Sequence, residues 1–190
     1  MMNEFIEDAQ FSRIDFALKK IKKGDYECCS FVNCNFSNGD ISNCMFIDCD
    51  FVDCNLSSVN ITDTTFKEVR FSNCKMMGLY FQKCSSLFFL AIFTSCVLDF
   101  TSFVGRPLES LKFSKCSLKG VDFTEASLKK VIFDDCNFDQ AIFGGTVLKE
   151  TDFRTSFNFQ IDPESNLINK AMFTKENVSG LLKKHNIVIE

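Results

Sequence analysis

From residue 11 to residue 81 a large apolar side chain returns at every fifth position: Phe11, Phe16, Ile21, Tyr26, Phe31, Phe36, Ile41, Phe46, Phe51, Leu56, Ile61, Phe66, Phe71, Met76, Phe81. The series breaks once, where the next centre, Phe88, comes seven residues on, and then runs regularly from Phe93 to Phe153. A small or thiol side chain stands two places before most centres, and the positions between are mostly Asn, Ser, Asp and Thr. A period of five belongs to neither a helix nor a strand. It marks a repeat, and the repeat decides the fold.

Two inward positions in every five require a chain that turns every five residues, and four such sides make a square coil of 20 residues. With the seven-residue step taken as a two-residue insertion in one side, one column holds Phe11, Phe31, Phe51, Phe71, Phe93, Phe113, Phe133 and Phe153. A second, of small residues, holds Cys34, Cys54, Cys74, Cys96, Cys116 and Cys136. The columns match across the break, so the insertion bulges outward and the coil continues. Phe88 keeps the column, which makes Phe89 the surplus aromatic, placed to cover the bulge or to face a partner.

The unit of small residue, polar residue, Phe or Leu and two polar residues, sustained over residues 9 to 155, resembles the pentapeptide-repeat family. It is most similar to the branch that contains the Qnr and McbG type gyrase-protection proteins. The tail NFQIDPESNLINKAMFTKENVSGLLKKHNIVIE resembles the closing segment of that branch. The resemblance implies an all-β fold, a right-handed quadrilateral β-helix of about seven coils with a C-terminal capping helix. It also implies a homodimer through the C-terminus. Finally, it implies a DNA-mimicking rod that binds type II topoisomerase (DNA gyrase or topoisomerase IV) and protects it from fluoroquinolones or a peptide toxin. The large projecting loops of some relatives are absent. A scaffold for an unrelated protein partner is the alternative.

The chain divides into a leader at 1–10, the repeat at 11–155 with a small insertion near 82–88, and a cap with dimerisation segment at 156–190. In the run LKKIKKG, Lys19 falls on an inward phase; a loop or a short amphipathic helix fits, and Gly24-Asp25 favours the loop. Arg106 also takes an inward, small-residue position, ahead of Pro107; a local distortion with Arg106 reaching outward avoids a buried charge. Beyond the repeat, Thr174 can cap a helix over 175–184, with Val178, Leu181 and Leu182 on its apolar side as the dimer contact.

With 24 Phe and no Trp, the composition suits a stacked interior. Ten of the 11 Cys lie in or beside the inward small-residue phase, which reads as buried reduced thiols rather than as disulfides or a metal site. No signal peptide or membrane-spanning run is legible, so a cytoplasmic protein is expected. The lone His185, the absence of phosphate-loop and nucleophile motifs and the closed core argue against an enzyme, and no cofactor or metal is expected.

Charge supplies the candidate site. Residues 24–66 carry Asp25, Glu27, Asp40, Asp48, Asp50, Asp53 and Asp63 and no Lys or Arg. Two coils rise about 10 Å at strand spacing, over which duplex DNA carries about six charges. The net charge of the whole chain is only −4, so the mimicry is a patch. Asp48, Asp50 and Asp53 are expected to cluster where two sides meet, with Glu68 stacked one coil beyond Asp48. A basic protein groove, not nucleic acid itself, is the partner such a patch attracts.

Overall fold

The computed structural model describes residues 4–87, 89–109 and 111–188, and the chain winds as a four-sided parallel β-solenoid. Its strands are β1 (Glu4–Glu7), β2 (Gln10–Ser12), β3 (Gly24–Glu27), β4 (Ser30–Val32), β5 (Met45–Ile47), β6 (Asp50–Val52), β7 (Thr65–Ser72), β8 (Leu90–Thr94), β9 (Lys112–Ser114) and β10 (Ile132–Asp134). Every pairing between them is parallel, and Phe11, Phe31, Phe51 and Phe71 lie opposite one another in turn. The sides too short to form strands keep the same register through single bridges such as Asn35–Asn55 and Asp122–Ile142.

The chain bends two residues after most centres. There the backbone enters the left-handed region, with φ of 50–57° at Asn33, Asn38, Asn43, Asp48, Asp53 and Ser58. Asn and Asp tolerate that region better than other L-residues, which explains the polar residues at this phase. Some corners are closed by a turn bond, as where the Gly39 N–H donates to the Phe36 carbonyl at 2.9 Å. Just before several of these turns an Asn or Asp carboxamide or carboxyl oxygen accepts from the backbone two residues on, as Asn35 does from Ser37 at 3.1 Å. Gly24 answers a different need: a Cβ there would run into the Glu4 carbonyl of the coil beneath.

Inside, the Phe column stacks ring on ring. Successive centroids from Phe11 to Phe173 lie 4.7–5.5 Å apart with interplanar angles of 4–23°. Beside it, Cys34, Cys54, Cys74, Cys96, Cys116 and Cys136 donate their thiols to the carbonyls of Phe11, Phe31, Phe51, Phe71, Phe93 and Phe113. Ser156 continues the column and makes the same bond with its hydroxyl, to the Phe133 carbonyl at 2.9 Å. Small polarizable donors thus satisfy carbonyls next to the aromatic stack. Cys28 is the one exposed cysteine.

The structure departs from the sequence expectations at the irregular places. The first coil begins earlier than the leader boundary, because Glu4–Glu7 already pairs with Gly24–Glu27. The basic run is the loop that Gly24-Asp25 favours, but Lys19 leaves the inward phase and is exposed, since an ammonium placed inside would lack any partner. Lys22 and Lys23 reach Glu4 (3.0 Å) and Asp40 (2.9 Å) and stitch this turn to the coils around it. At the insertion, Ser85 still donates to Thr64 at 3.0 Å in the regular register, whereas Val69 already faces Ala91. The extra residues therefore fall between 85 and 90; Phe88 itself lies outside the described residues.

At the far end the repeat runs on to Phe173, which stacks on Phe153. The capping helix expected over 175–184 is replaced by two short 3-10 turns, Val178–Leu181 and Lys183–His185. Gly180, inside the first of these turns, is required where it is, because a Cβ would enter the Phe159 ring. Thr174 does hold the entry, exchanging bonds with Asn177, and the Asn177 amide donates to the open carbonyls of Phe153 (2.8 Å) and Ser156 (3.0 Å). The tail thereby covers the last coil's unpaired edge.

Phe71 is buried between Phe51 and Phe93, at 5.1 and 5.3 Å. Phe71→Ala is expected to lower unfolding free energy by about 3–5 kcal/mol in a denaturant melt. An unchanged melt would break the column assignment.

Candidate protein-interaction surface

The outward positions carry no duty in the core, so their charges are free to differ from coil to coil. Asp8, Cys28, Asp48 and Glu68 occupy the same left-handed corner of successive coils, with φ of 50–57°. Their backbone register is set by ladder bonds such as Asp48 N–H to the Lys67 carbonyl at 3.0 Å. Glu7 and Glu27 adjoin this edge on β1 and β3. The Cys28 thiol records the field: it is held up by loss of water and then by the carboxylates of Asp8, Asp48, Glu27 and Glu7. Glu7 and Asp8 lie outside the acid-only segment read from the sequence. The signal that locates them is the twenty-residue step back from Glu27 and Cys28.

Of the proposed acids, Asp48 and Glu68 share this corner, but Asp53 sits at the next corner, at the other end of β6. The three aspartates therefore span one side rather than cluster where two sides meet. Asp50, between them, is held by a bidentate pair with Arg70, Nε to Oδ1 at 2.5 Å and Nη2 to Oδ2 at 2.9 Å. This outward ladder contact, one coil apart on β6 and β7, neutralises Asp50. Among the described residues no ion pair forms at Asp48, Asp53 or Glu68.

The insertion is built around a buried cation. Arg106 does not reach outward; it is 5% exposed. Its Nη1 donates to the Cys84 carbonyl at 3.3 Å and its Nη2 to the Ser85 carbonyl at 3.1 Å, and the guanidinium lies 5.0 Å over the Phe89 ring. Phe89 is accordingly half-buried, edge-on to Phe81 at 5.8 Å, rather than offered to a partner. The ladder shows why an arginine stands here. In other coils the residue after the inward one donates its N–H to the corresponding inward residue below, as Ser102 does to Leu79 (2.8 Å) and Ser127 to Arg106 (2.9 Å). The equivalent donor to Cys84 is Pro107, which has no N–H, and the Arg106 side chain supplies the missing bond. Desolvation lowers the guanidinium pKa, yet it stays charged.

A pentapeptide-repeat-region model matches residues 24–86, and a model of eight pentapeptide repeats matches residues 108–139 and 116–154. The chain belongs to the pentapeptide-repeat family. No curated protein matches it by sequence. Among solved structures, this pentapeptide-repeat protein is similar to QnrB1, described as a plasmid-mediated fluoroquinolone resistance protein. A trypsin-treated QnrB1 variant superposes with a TM-score of 0.73 at 18% identity, covering 100% of this chain and 92% of that one. Full-length QnrB1 superposes with a TM-score of 0.55 at 18% identity, covering 97% and 100%. At that identity the likeness establishes the fold. Among the described residues, no group of His, Cys, Asp and Glu could hold a metal ion, and no helix is long and apolar enough to cross a membrane.

If Arg106 replaces the donor that Pro107 lacks, the two positions are coupled. Arg106→Ala is expected to cost about 1–3 kcal/mol, the range for a buried acceptor left unsatisfied. The cost should shrink in a Pro107→Ala background, where a backbone N–H can reach Cys84. Equal costs in both backgrounds, measured by denaturant melts, would show that the guanidinium does not stand in for the ladder.

Proposed function

We propose that this chain is a non-enzymatic, cytoplasmic binding protein that occupies the basic DNA-binding groove of a type II topoisomerase. There it antagonises a poison such as a fluoroquinolone. The observation that carries this reading is the acidic edge of the first coils: Glu7, Asp8, Glu27, Asp48 and Glu68, joined across one side by Asp53. The edge rises about 14 Å from Asp8 to Glu68 at strand spacing. A stiff parallel ladder presents these charges at fixed intervals, as a duplex presents phosphates. The similarity in fold to a fluoroquinolone resistance protein supports the same reading. Toward the C-terminal end this corner alternates in sign, with Lys130 facing Glu150 at 4.0 Å, so the contact belongs to the N-terminal coils.

The test is the triple variant Asp48→Asn, Asp53→Asn, Glu68→Gln. These side chains lie outside the core, so melting should be unchanged within about 0.5 kcal/mol. Protection of purified gyrase against fluoroquinolone-stabilised cleavage should be lost. Undiminished protection would move the contact elsewhere. A parent chain without effect on gyrase or topoisomerase IV would leave the scaffold reading in its place.

The C-terminal end supports a homodimer. Leu181 turns partly inward, but Val178, Leu182 and Ile187 remain exposed on the cap. Two caps related by a two-fold axis would cover them. Light scattering should give twice the 21.7 kDa chain mass, and Val178→Asp with Leu182→Asp should halve it. A monomeric parent would overturn the dimer.

A further inference from the structure

The acidic edge borders an apolar shelf. Along the outward ladder of one side, polar Gln10, Ser30, Asp50 and Arg70 are followed by Ile92. Ile92 and Leu90 both point out of β8, 45% and 43% exposed, while Ala91 and Phe93 point into the core. They line a groove of ≈360 Å³ together with Asp48, Glu68, Arg70 and Lys112. Single exposed aliphatic residues are ordinary. These two are adjacent, and they lie within the charged edge rather than away from it.

The strand that carries the shelf is fixed in register. β8 is where the coil returns to register after the insertion, with the slip between Lys67 and Val69 of β7. Immediately before it, the guanidinium of Arg106 ties down the Cys84 and Ser85 carbonyls and covers Phe89. Ser85 and Phe89, on either side of the insertion, are thereby held by the same side chain.

We infer that Leu90 and Ile92 are the apolar seat of the docking surface, taking an aliphatic or aromatic side chain that neighbours a Lys or Arg of the partner. The inference rests on the topoisomerase reading and sharpens it. Charge complementarity sets the occupant: a basic residue that meets Asp48 or Glu68 places its neighbour over Leu90 and Ile92. Arg70 is already engaged by Asp50 and does not compete for an acidic partner. A duplex has no aliphatic shelf among its phosphates. The chain therefore recognises its partner by more than DNA-like charge, and part of the affinity is independent of salt. Arg106 acts as a positioning residue for the shelf.

The experiment titrates full-length chain against purified gyrase holoenzyme at low, physiological and high salt. Leu90→Ser with Ile92→Ser should fold normally and bind about tenfold more weakly at every salt, the loss of a small apolar anchor. The salt slope should match the parent's. Asp48→Asn with Glu68→Gln should instead flatten the slope. Arg106→Lys keeps the charge but not the forked bonds; it should quicken amide exchange over 85–90 and weaken binding without altering the slope. Parent-like affinity of the Leu90/Ile92 variant at all salts, with the parent bound, overturns the apolar seat and leaves the topoisomerase reading intact. Parent-like affinity of Arg106→Lys overturns its positioning role. No binding by the parent overturns the reading and the seat together.

Discussion

The molecule depends on one bond repeated around and along it: a backbone N–H given to a carbonyl of the neighbouring coil. That ladder fixes the interval at which side chains meet, and so brings phenylalanine onto phenylalanine and thiol onto carbonyl. The left-handed corners make it possible by turning the chain often enough to return over itself. The stack of rings runs the length of the core, but its geometry is a consequence of the ladder.

Pro107, where a ladder donor is missing, shows how strict this requirement is. Pro107 cannot give its bond, and a charged side chain is brought into the core to do so. Burying an unpaired guanidinium is costly, and here it is offset by two carbonyls and an aromatic face. The described residues on either side of the insertion, Ser85 and Phe89, both contact this guanidinium. Both are tied to the interior by the residue that repairs the ladder.

Because the core uses only the inward positions, the outer surface can vary without altering the fold. The N-terminal coils use that freedom to align carboxylates at one corner, and the later coils alternate charges along it. Register converts residues twenty apart in the chain into neighbours, so an acidic edge is assembled from acids scattered through the sequence. Charge counted along a linear stretch overstates the patch at Asp50, which Arg70 neutralises, and misses Glu7 and Asp8.

The period of five by itself determined the columns, from Phe11 to Phe153 and from Cys34 to Cys136, and the polar corners. In a solenoid, spacing in sequence is spacing in space, so periodic features need no further information. Only the tertiary structure decided what happens where the period fails. The direction of Arg106, the inward turn of Phe89 and the 3-10 tail around Gly180 depend on which backbone groups are left without partners nearby. The pairing of Asp50 with Arg70 depends on which outward side chains face each other across the ladder. Spacing predicts which residues are neighbours, whereas their contacts depend on unmet hydrogen bonds and charges that appear only once the coils are stacked.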